Sequence, residues 1–517
     1  MNGSKRPNIL LIVADQLGGP ALPFDGTGFA KAPHLQRLAE HGVVFENAYC
    51  NFPICAPSRA SMLAGLLPHS FGLYDNSSEF RADIPTVNHY LRQLGYRSVL
   101  SGKMHFIGPD QEHGYDSRLT TEIYPANFAW TVDWSKGRGF RPTNLTMSPV
   151  IEAGQCVRSL QIDYDDEVEY ASLQGLYDLA RDQSGSPFFL TVSFTHPHSP
   201  YVTTREYWDR YRHEDVKMPD VGEIPLEQKD HLSRNLHYCQ GRDEYQVSEE
   251  QVRNARHAYF GMISYIDDKV GRLLEVLRQT GLDDNTVVIF TSDHGDMMGE
   301  RGMWYKQHFF EWACRVPLVV SWPDRYKPAR VQCEVSLVDL MPTLLDVATD
   351  GKGFSGVVES DGHSLFPIVA NQDVDWDHPV ISEFSADGST GPSRMVLKDR
   401  QKYMYLEGVE ECLVDLDADP LELENQIDNP AYADRIASLR DLAFRDWNPE
   451  ATRERIAADQ KRRLFIHRVT QGDPTYVHAL SEDDKHKYVR NAGAADTKAR
   501  ARFPYVEPSW PPQLSDH

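Results

Sequence analysis

Four apolar runs, each ending in polar or ionisable residues, constrain this chain more than any other feature. Asn8–Ala14 is unbroken in Ile, Leu and Val and stops at Asp15-Gln16. Tyr96–Leu100 runs into Ser101-Gly102-Lys103-Met104-His105. Pro187–Phe194 leads to Thr195-His196-Pro197-His198, and Asn285–Thr291 ends in Ser292-Asp293-His294-Gly295-Asp296. Continuous apolar runs of this length read as strands buried on both faces, as in a parallel sheet. Such sheets take ligands outside the C-terminal ends of their strands. If the runs share one sheet, their polar ends converge. Helical stretches over 32–42, 84–95, 164–181 and 252–280 complete an α/β pattern. Pro342 in the helical stretch 337–348 predicts a kink or a helix start.

Each polar end also has an ordinary reading. Asp15 alone suits a turn or helix cap better than a metal. Lys103 and His105 suit an exposed basic loop as well as a cleft. His196 and His198 suit satisfied structural imidazoles. Asp293-His294 offers two good divalent-metal ligands.

A fifth segment, Asn51–Asn76, contains Cys55-x-Pro57-x-Arg59. Pro57 can open a helix, because the first helical position needs no backbone donor. A short helix over 60–67 is expected to close at Pro68. Cys55 then lies at a helix N-terminus that favours an anion, with Arg59 about one turn on. The plain alternative is a buried cysteine before a core helix.

The run C-A-P-S-R-A-S-M-L-A-G resembles the signature of the type I sulfatases, members of the alkaline phosphatase superfamily. In that family the cysteine is oxidised by a formylglycine-generating enzyme, and the hydrated aldehyde is the nucleophile. The resemblance assigns that role to Cys55. The family pattern N-I-x-x-x-x-x-D-D matches at Asp15, although Gln16 replaces the second acid. Glutamine still offers a carbonyl oxygen to a hard cation but carries no charge. G-K-x-H, P-H-x-P and S-D-H-G also resemble family blocks. They imply catalytic roles for Cys55, Arg59, Lys103, His105, His198 and Lys306. The implied metal ligands are Asp15, Cys55, Asp293 and His294 around one divalent cation, Ca2+ first, with Mn2+ or Mg2+ as alternatives. The implied fold is a large mixed, mostly parallel sheet flanked by helices, with a smaller C-terminal α+β subdomain.

Longer blocks, S-G-K-M-H-F-I-G-P-D-Q among them, resemble the choline-sulfatases within this family. That implies choline sulfate as substrate and a homotetramer. A quaternary ammonium has no hydrogen to donate, so it asks for aromatic faces and carboxylates. The resemblance nominates Trp130, Glu383 and, from a neighbouring subunit, Asp496. Phosphonate monoester hydrolase, phosphodiesterase and arylsulfatase activities remain alternatives, as does a non-enzymatic binding protein if Cys55 stays unmodified.

The formal charge of −23 over 517 residues argues against a nucleic-acid binder. The seven cysteines are scattered without zinc-type spacing, which fits a reducing compartment. The first apolar run is too short for a signal segment or membrane span. A cytoplasmic protein is expected. Residues 1–375 read as the catalytic domain and 376–447 as a small antiparallel-sheet subdomain. Residues 448–517 read as a charged extension. Its Tyr476, Tyr488, Phe503, Tyr505 and Trp510 predict packing on a neighbouring subunit.

Overall fold

A computed structural model describes residues 6–25, 28–143, 145–323, 325–354, 356–372, 374–470 and 502–504. At its centre lies a sheet of eight strands. They are β1 (Asn8–Ala14), β2 (Val43–Tyr49), β3 (Arg97–Gly102), β4 (Ser117–Arg118), β5 (Phe188–Ser193), β6 (Thr286–Ser292), β7 (Arg315–Ser321) and β8 (Ala329–Ser336). Their spatial order is β8-β2-β7-β6-β1-β5-β3-β4. Strand β7 runs against both neighbours, and every other pairing is parallel.

The four apolar runs are thus adjacent strands pointing the same way. Register completes the convergence. Val13 lies level with Ser193, Ala14 with Ser292 and Gly102 with Ser193. The residues that follow leave one edge of the sheet side by side. Strands β1, β5 and β6 are buried throughout, which explains their unbroken apolar sequence.

Helices cover both faces. They include α1 (Pro33–Glu40), α2 (Cys55–Ala64), α3 (Val87–Gln93), α4 (Leu160–Arg181), α5 (Glu249–Thr280) and α6 (Leu340–Thr349). Ile9, Leu11 and Val13 pack with Leu63 of α2, Leu91 of α3 and Leu344 of α6. Leu10, Ile12 and Ala14 pack on the other face with Val168 of α4 and Ile266 of α5. Helix α2 begins at Cys55 itself and stops at Gly65, three residues before Pro68. Gly65 takes the left-handed conformation that ends helices early (φ 66°). Pro342 falls in the first turn of α6, after a short 3-10 turn over Leu337–Asp339, so it marks a start and not a kink.

The second sheet is antiparallel, with β9 (Val380–Phe384), β10 (Ser393–Lys398), β11 (Gln401–Leu406) and β12 (Glu410–Asp415) in sequential order. Helix α7 (Ala433–Phe444) covers it through Ile436, Leu439 and Ala443. The sheet is bonded to the segment before Cys55. Glu383 N donates to Asn51 O, and Asn51 Nδ2 donates to Ile381 O, both at 2.9 Å.

The charged stretch after Asn448 does not begin as a solvated tail. It forms α8 (Pro449–Val469), capped by the Asn448 side chain. The buried positions Thr452, Ile456, Gln460 and Arg463 recur at helical spacing but are mostly polar. A search for apolar periodicity therefore misses the helix. It packs on its own chain: Gln460 Oε1 accepts from Trp134 N at 3.2 Å. Arg502–Phe503 pairs antiparallel with Arg158–Ser159, leaving Phe503 65% exposed. Asp496, Tyr476, Tyr488, Tyr505 and Trp510 lie outside the described residues. Among the described residues no helix is long and apolar enough to cross a membrane.

Gly102 ends β3 with φ 105°, and a Cβ there would sit 1.9 Å from Ser193 O. That oxygen already accepts from Lys103 N at 3.0 Å. Gly102→Ala is expected to destabilise the fold by about 3 kcal/mol or more. A denaturant titration measures this, and an unchanged midpoint refutes it.

Candidate active site

Helix α2 carries Cys55 to the edge where the parallel strands end. All ten of its residues are buried. Its N-terminus is capped from a distance, since Asn76 Oδ1 accepts from Ala56 N at 2.9 Å. One turn on, Arg59 is fully buried and reaches three strand ends. Its Nε donates to Asp293 Oδ2 at 2.7 Å, and its Nη1 donates to Lys103 O at 2.7 Å and Ser193 Oγ at 2.8 Å. Burial works against its charge, but Asp293 and Asp15 outweigh it and hold the guanidinium protonated. Among the described residues Arg59 Nη2 has no hydrogen-bond partner.

Asp15, Cys55, Asp293 and His294 each offer one ligand atom, and these atoms all lie within 4.8 Å of one another. His294 Nε2 is 3.3 Å from Cys55 Sγ, 3.6 Å from Asp293 Oδ2 and 3.9 Å from Asp15 Oδ1. His294 Nδ1 lies 3.0 Å from Gly295 O. A proton on Nδ1 donates there and turns the Nε2 lone pair into the cluster. Two carboxylates, an imidazole and a thiol suit a divalent cation, beside the Arg59 guanidinium that reaches both acids. Burial raises the Asp15 carboxyl, as does Cys55, yet Lys103, His198 and Arg59 bring it below the ordinary range. Burial also raises the Cys55 thiol, and Lys103, Lys306 and His294 pull it well below the ordinary thiol value.

Gln16 does not join this cluster. Its amide donates to Asp296 and accepts from Lys306, so both ends are engaged elsewhere. Its backbone N donates to Asp293 Oδ1 at 3.0 Å.

Above Cys55 lies a cavity lined by His105, Tyr124, Trp130, His198, Lys306 and Asp387, among others. Lys306 Nζ is 2.8 Å from His198 Nε2 and 3.7 Å from Cys55 Sγ. His198 Nδ1 lies 2.7 Å from Ser199 O, so its proton belongs on Nδ1 and its Nε2 accepts from Lys306. Lys103 contacts Asp15 and stands over the Tyr124 ring at 4.0 Å. The His105 ring stacks on Tyr124 at 4.8 Å and meets Trp130 edge-on at 5.7 Å. Burial depresses the His105 imidazole, helped by Lys103 and opposed by Cys55. Glu122 fixes the loop by accepting from Met104 N and His105 N, both at 2.9 Å. His196 turns away: its Nδ1 bonds to Asp165 Oδ2 at 2.5 Å within the core.

Sequence reasoning missed Glu122, Tyr124, Asn76 and Asp387. The last of these corrects an assignment. Glu383 is not among the residues lining the cavity. Its carboxylate is taken by Arg394 at 2.6 Å, His69 Nδ1 at 2.8 Å and His69 N at 2.9 Å. Four residues on, Asp387 lines the cavity, and its Oδ1 has no hydrogen-bond partner among the described residues. The S-E-F-S-A-D run offered two acids, and only their position relative to the end of β9 distinguishes them.

Comparisons with known proteins can be set beside this geometry. The family model described as sulfatase matches residues 7–350, and that described as N-sulphoglucosamine sulphohydrolase, C-terminal, matches 299–445. A choline-sulfatase of Rhizobium meliloti (strain 1021) is 41% identical over 513 residues, covering 97% of this chain and 99% of the relative. An arylsulfatase of Clostridium perfringens (strain 13 / Type A) is 29% identical, covering 85% and 94%. The crystal structure of a phosphonate monoester hydrolase of Agrobacterium radiobacter shares the fold, with TM-score 0.69 at 24% identity and coverage of 88% and 96%. The chain belongs to the sulfatase family. It is a sulfuric ester hydrolase with an alkaline-phosphatase-like sulfatase fold, as the first resemblance implied.

Burial pushes the Glu383 carboxyl up, but Arg394 and His69 outweigh it and hold it at about 2, against an ordinary 4.5. Its stabilising contribution is complete above pH 4.5 and is lost as pH falls through 2. Glu383→Gln is expected to lower the thermal midpoint and to make it less steep on the acid side. KM for a sulfate ester should change by less than roughly two-fold. A large, selective rise in KM contradicts the correction.

Proposed function

We propose that this sulfatase hydrolyses choline sulfate to choline and sulfate. One observation carries the reading: the cavity over Cys55 joins a cationic end at Lys306 to a wall of Tyr124, Trp130 and Asp387, whose Oδ1 has no hydrogen-bond partner among the described residues. A sulfate with a quaternary ammonium tail needs those two ends. The likeness to the Rhizobium choline-sulfatase supports it.

Cys55, oxidised by a formylglycine-generating enzyme, supplies the nucleophile as the aldehyde hydrate. Asp15, residue 55, Asp293 and His294 would hold a divalent cation, which would supply positive charge against the sulfate oxygens; Ca2+ is our assignment, with Mn2+ and Mg2+ also suited to the donors. Arg59, Lys103 and Lys306 add fixed positive charge where negative charge concentrates. Choline is an alkyl alcohol and leaves poorly, so its oxygen needs a proton. His198 delivers it from Nε2 as the imidazolium, keeping its Nδ1 proton on Ser199 O, and the Nε2 lone pair left behind accepts from Lys306. His105, a buried imidazole held neutral, accepts a proton at residue 55 when sulfate is released. Residues 1–375 act as the catalytic unit and 376–447 as its support. The extension after 448 contributes Asp496 to a neighbour in a cytoplasmic homotetramer.

Two predictions test this reading. The Cys55 peptide should weigh about 18 Da less than the encoded cysteine peptide, and Cys55→Ser should lose turnover by several orders of magnitude. Near-normal turnover in that variant excludes the mechanism, and faster turnover of an aryl phosphodiester than of choline sulfate excludes the substrate.

The second concerns Asp387. Burial and Asp75 push its carboxyl up to about 7, against the pull of Lys306. An ammonium binds the ionised form, so KM for choline sulfate should rise as pH falls below 7. Asp387→Asn should raise KM by about ten- to hundred-fold and flatten this dependence. A KM equal to that of the parent enzyme removes Asp387 from the binding site.

A further inference from the structure

Helix α8 meets the segment that carries Trp130 through Ile466, which packs against Ala56 and Phe128, and through Arg463. Arg463 is 3% exposed, and its guanidinium forks onto Asp75, with Nη1 to Oδ1 at 2.8 Å and Nη2 to Oδ2 at 3.0 Å. Nη1 also donates to Thr131 Oγ1 at 3.1 Å. Asp459, one turn earlier on the same helix, accepts from Arg463 Nε at 2.8 Å and fixes the fork in place.

Asp75 passes the contact on. Its Oδ1 accepts from Ser77 N at 2.9 Å and Ser78 Oγ at 3.1 Å. Ser77 Oγ then accepts from Trp130 N at 2.9 Å and donates to Asn127 O at 3.1 Å. Thr131, gripped directly by Arg463, is the next residue after Trp130. Asn76, between Asp75 and Ser77, caps the helix that starts at Cys55. Trp130, Asn76 and Cys55 line the same cavity.

We infer that Arg463 is a positioning residue for substrate specificity: from the C-terminal helix it sets, through Asp75, Ser77 and Thr131, the place of the Trp130 face against which the substrate's cation rests. This rests on the reading of the substrate given above. Arginine is the residue for this task, because a planar fork can hold both carboxylate oxygens and a hydroxyl at once. Arg463 also matters for charge. It neutralises Asp75, which stands close enough to raise the carboxyl of Asp387. Without the guanidinium, Asp75 remains a buried anion beside the second anion of the wall, and both the ring and the carboxylate are disturbed.

The test compares choline sulfate with a neutral aryl sulfate in the full-length, oxidised enzyme. Arg463→Met should lower kcat/KM for choline sulfate about ten-fold more than for the aryl sulfate, chiefly through KM. In a Trp130→Ala background the same change should cost choline sulfate much less, because the ring it positions is gone. Equal losses on both substrates, or full additivity with Trp130→Ala, overturn the inference and leave Arg463 a structural anchor. If Arg463→Met does not fold, Arg463→Lys carries the test: a charge without the fork should give the same split in smaller measure, and equal losses again overturn it. A parent enzyme with no activity on choline sulfate would defeat the substrate reading, and this inference with it. A parent active on choline sulfate, with a variant that shows no split, would defeat the inference alone.

Discussion

The buried guanidinium of Arg59 is the interaction on which the site depends. It joins the second turn of α2 to the ends of β3, β5 and β6 through Lys103 O, Ser193 Oγ and Asp293. Parallel strands bring polar residues to a common edge, but they do not set the distance of Cys55 from that edge. Arg59 sets it, four residues from Cys55 on the same helix. The cost of burying two acids and two cations here is offset only because each has a partner. Lys103 on Asp15 and Arg59 on Asp293 give that pairing, and each acid keeps an oxygen near the imidazole of His294.

The residues that converge at strand ends were legible in sequence because two periodic signals coincide there. Continuous apolar runs mark strands buried on both faces, and the change to polar residues marks the edge of the sheet. Asp15, Lys103, His198, Asp293 and His294 all follow such a change. Cys55 was singled out differently, by the resemblance of its run to a family signature, and the helix start expected there was off by two residues. Proline at the third helical position looked like the first, and Gly65 ended the helix earlier than Pro68 would have.

What was not legible has a common cause. Asp387, Tyr124, Glu122 and Asn76 act through contacts that cross long stretches of chain, and none follows a buried strand of the central sheet. Glu383 looked suitable because it is an acid near the right block, yet alternation along β9 sends it towards Arg394 and His69. Helix α8 was hidden for a related reason. Its buried stripe is Thr, Ile, Gln and Arg, held largely by hydrogen bonds and an ion pair, so its attachment has little hydrophobic signature. Long polar side chains of this kind cover surface and carry contacts that hydropathy does not register.

The burial of α2 also bears on how the protein is made. Cys55 is 1% exposed, and every residue of its helix is enclosed. On the function proposed above, a modifying enzyme would have to reach a cysteine that the packed helix encloses. On that reading, oxidation of Cys55 would belong to biosynthesis, before the segment is enclosed. Folding and modification compete for the same short interval. A chain that folds fast relative to the supply of modifying enzyme is trapped as a stable, correctly packed thiol form that no later encounter can convert. The fraction of active molecules then records the conditions of synthesis and not those of assay.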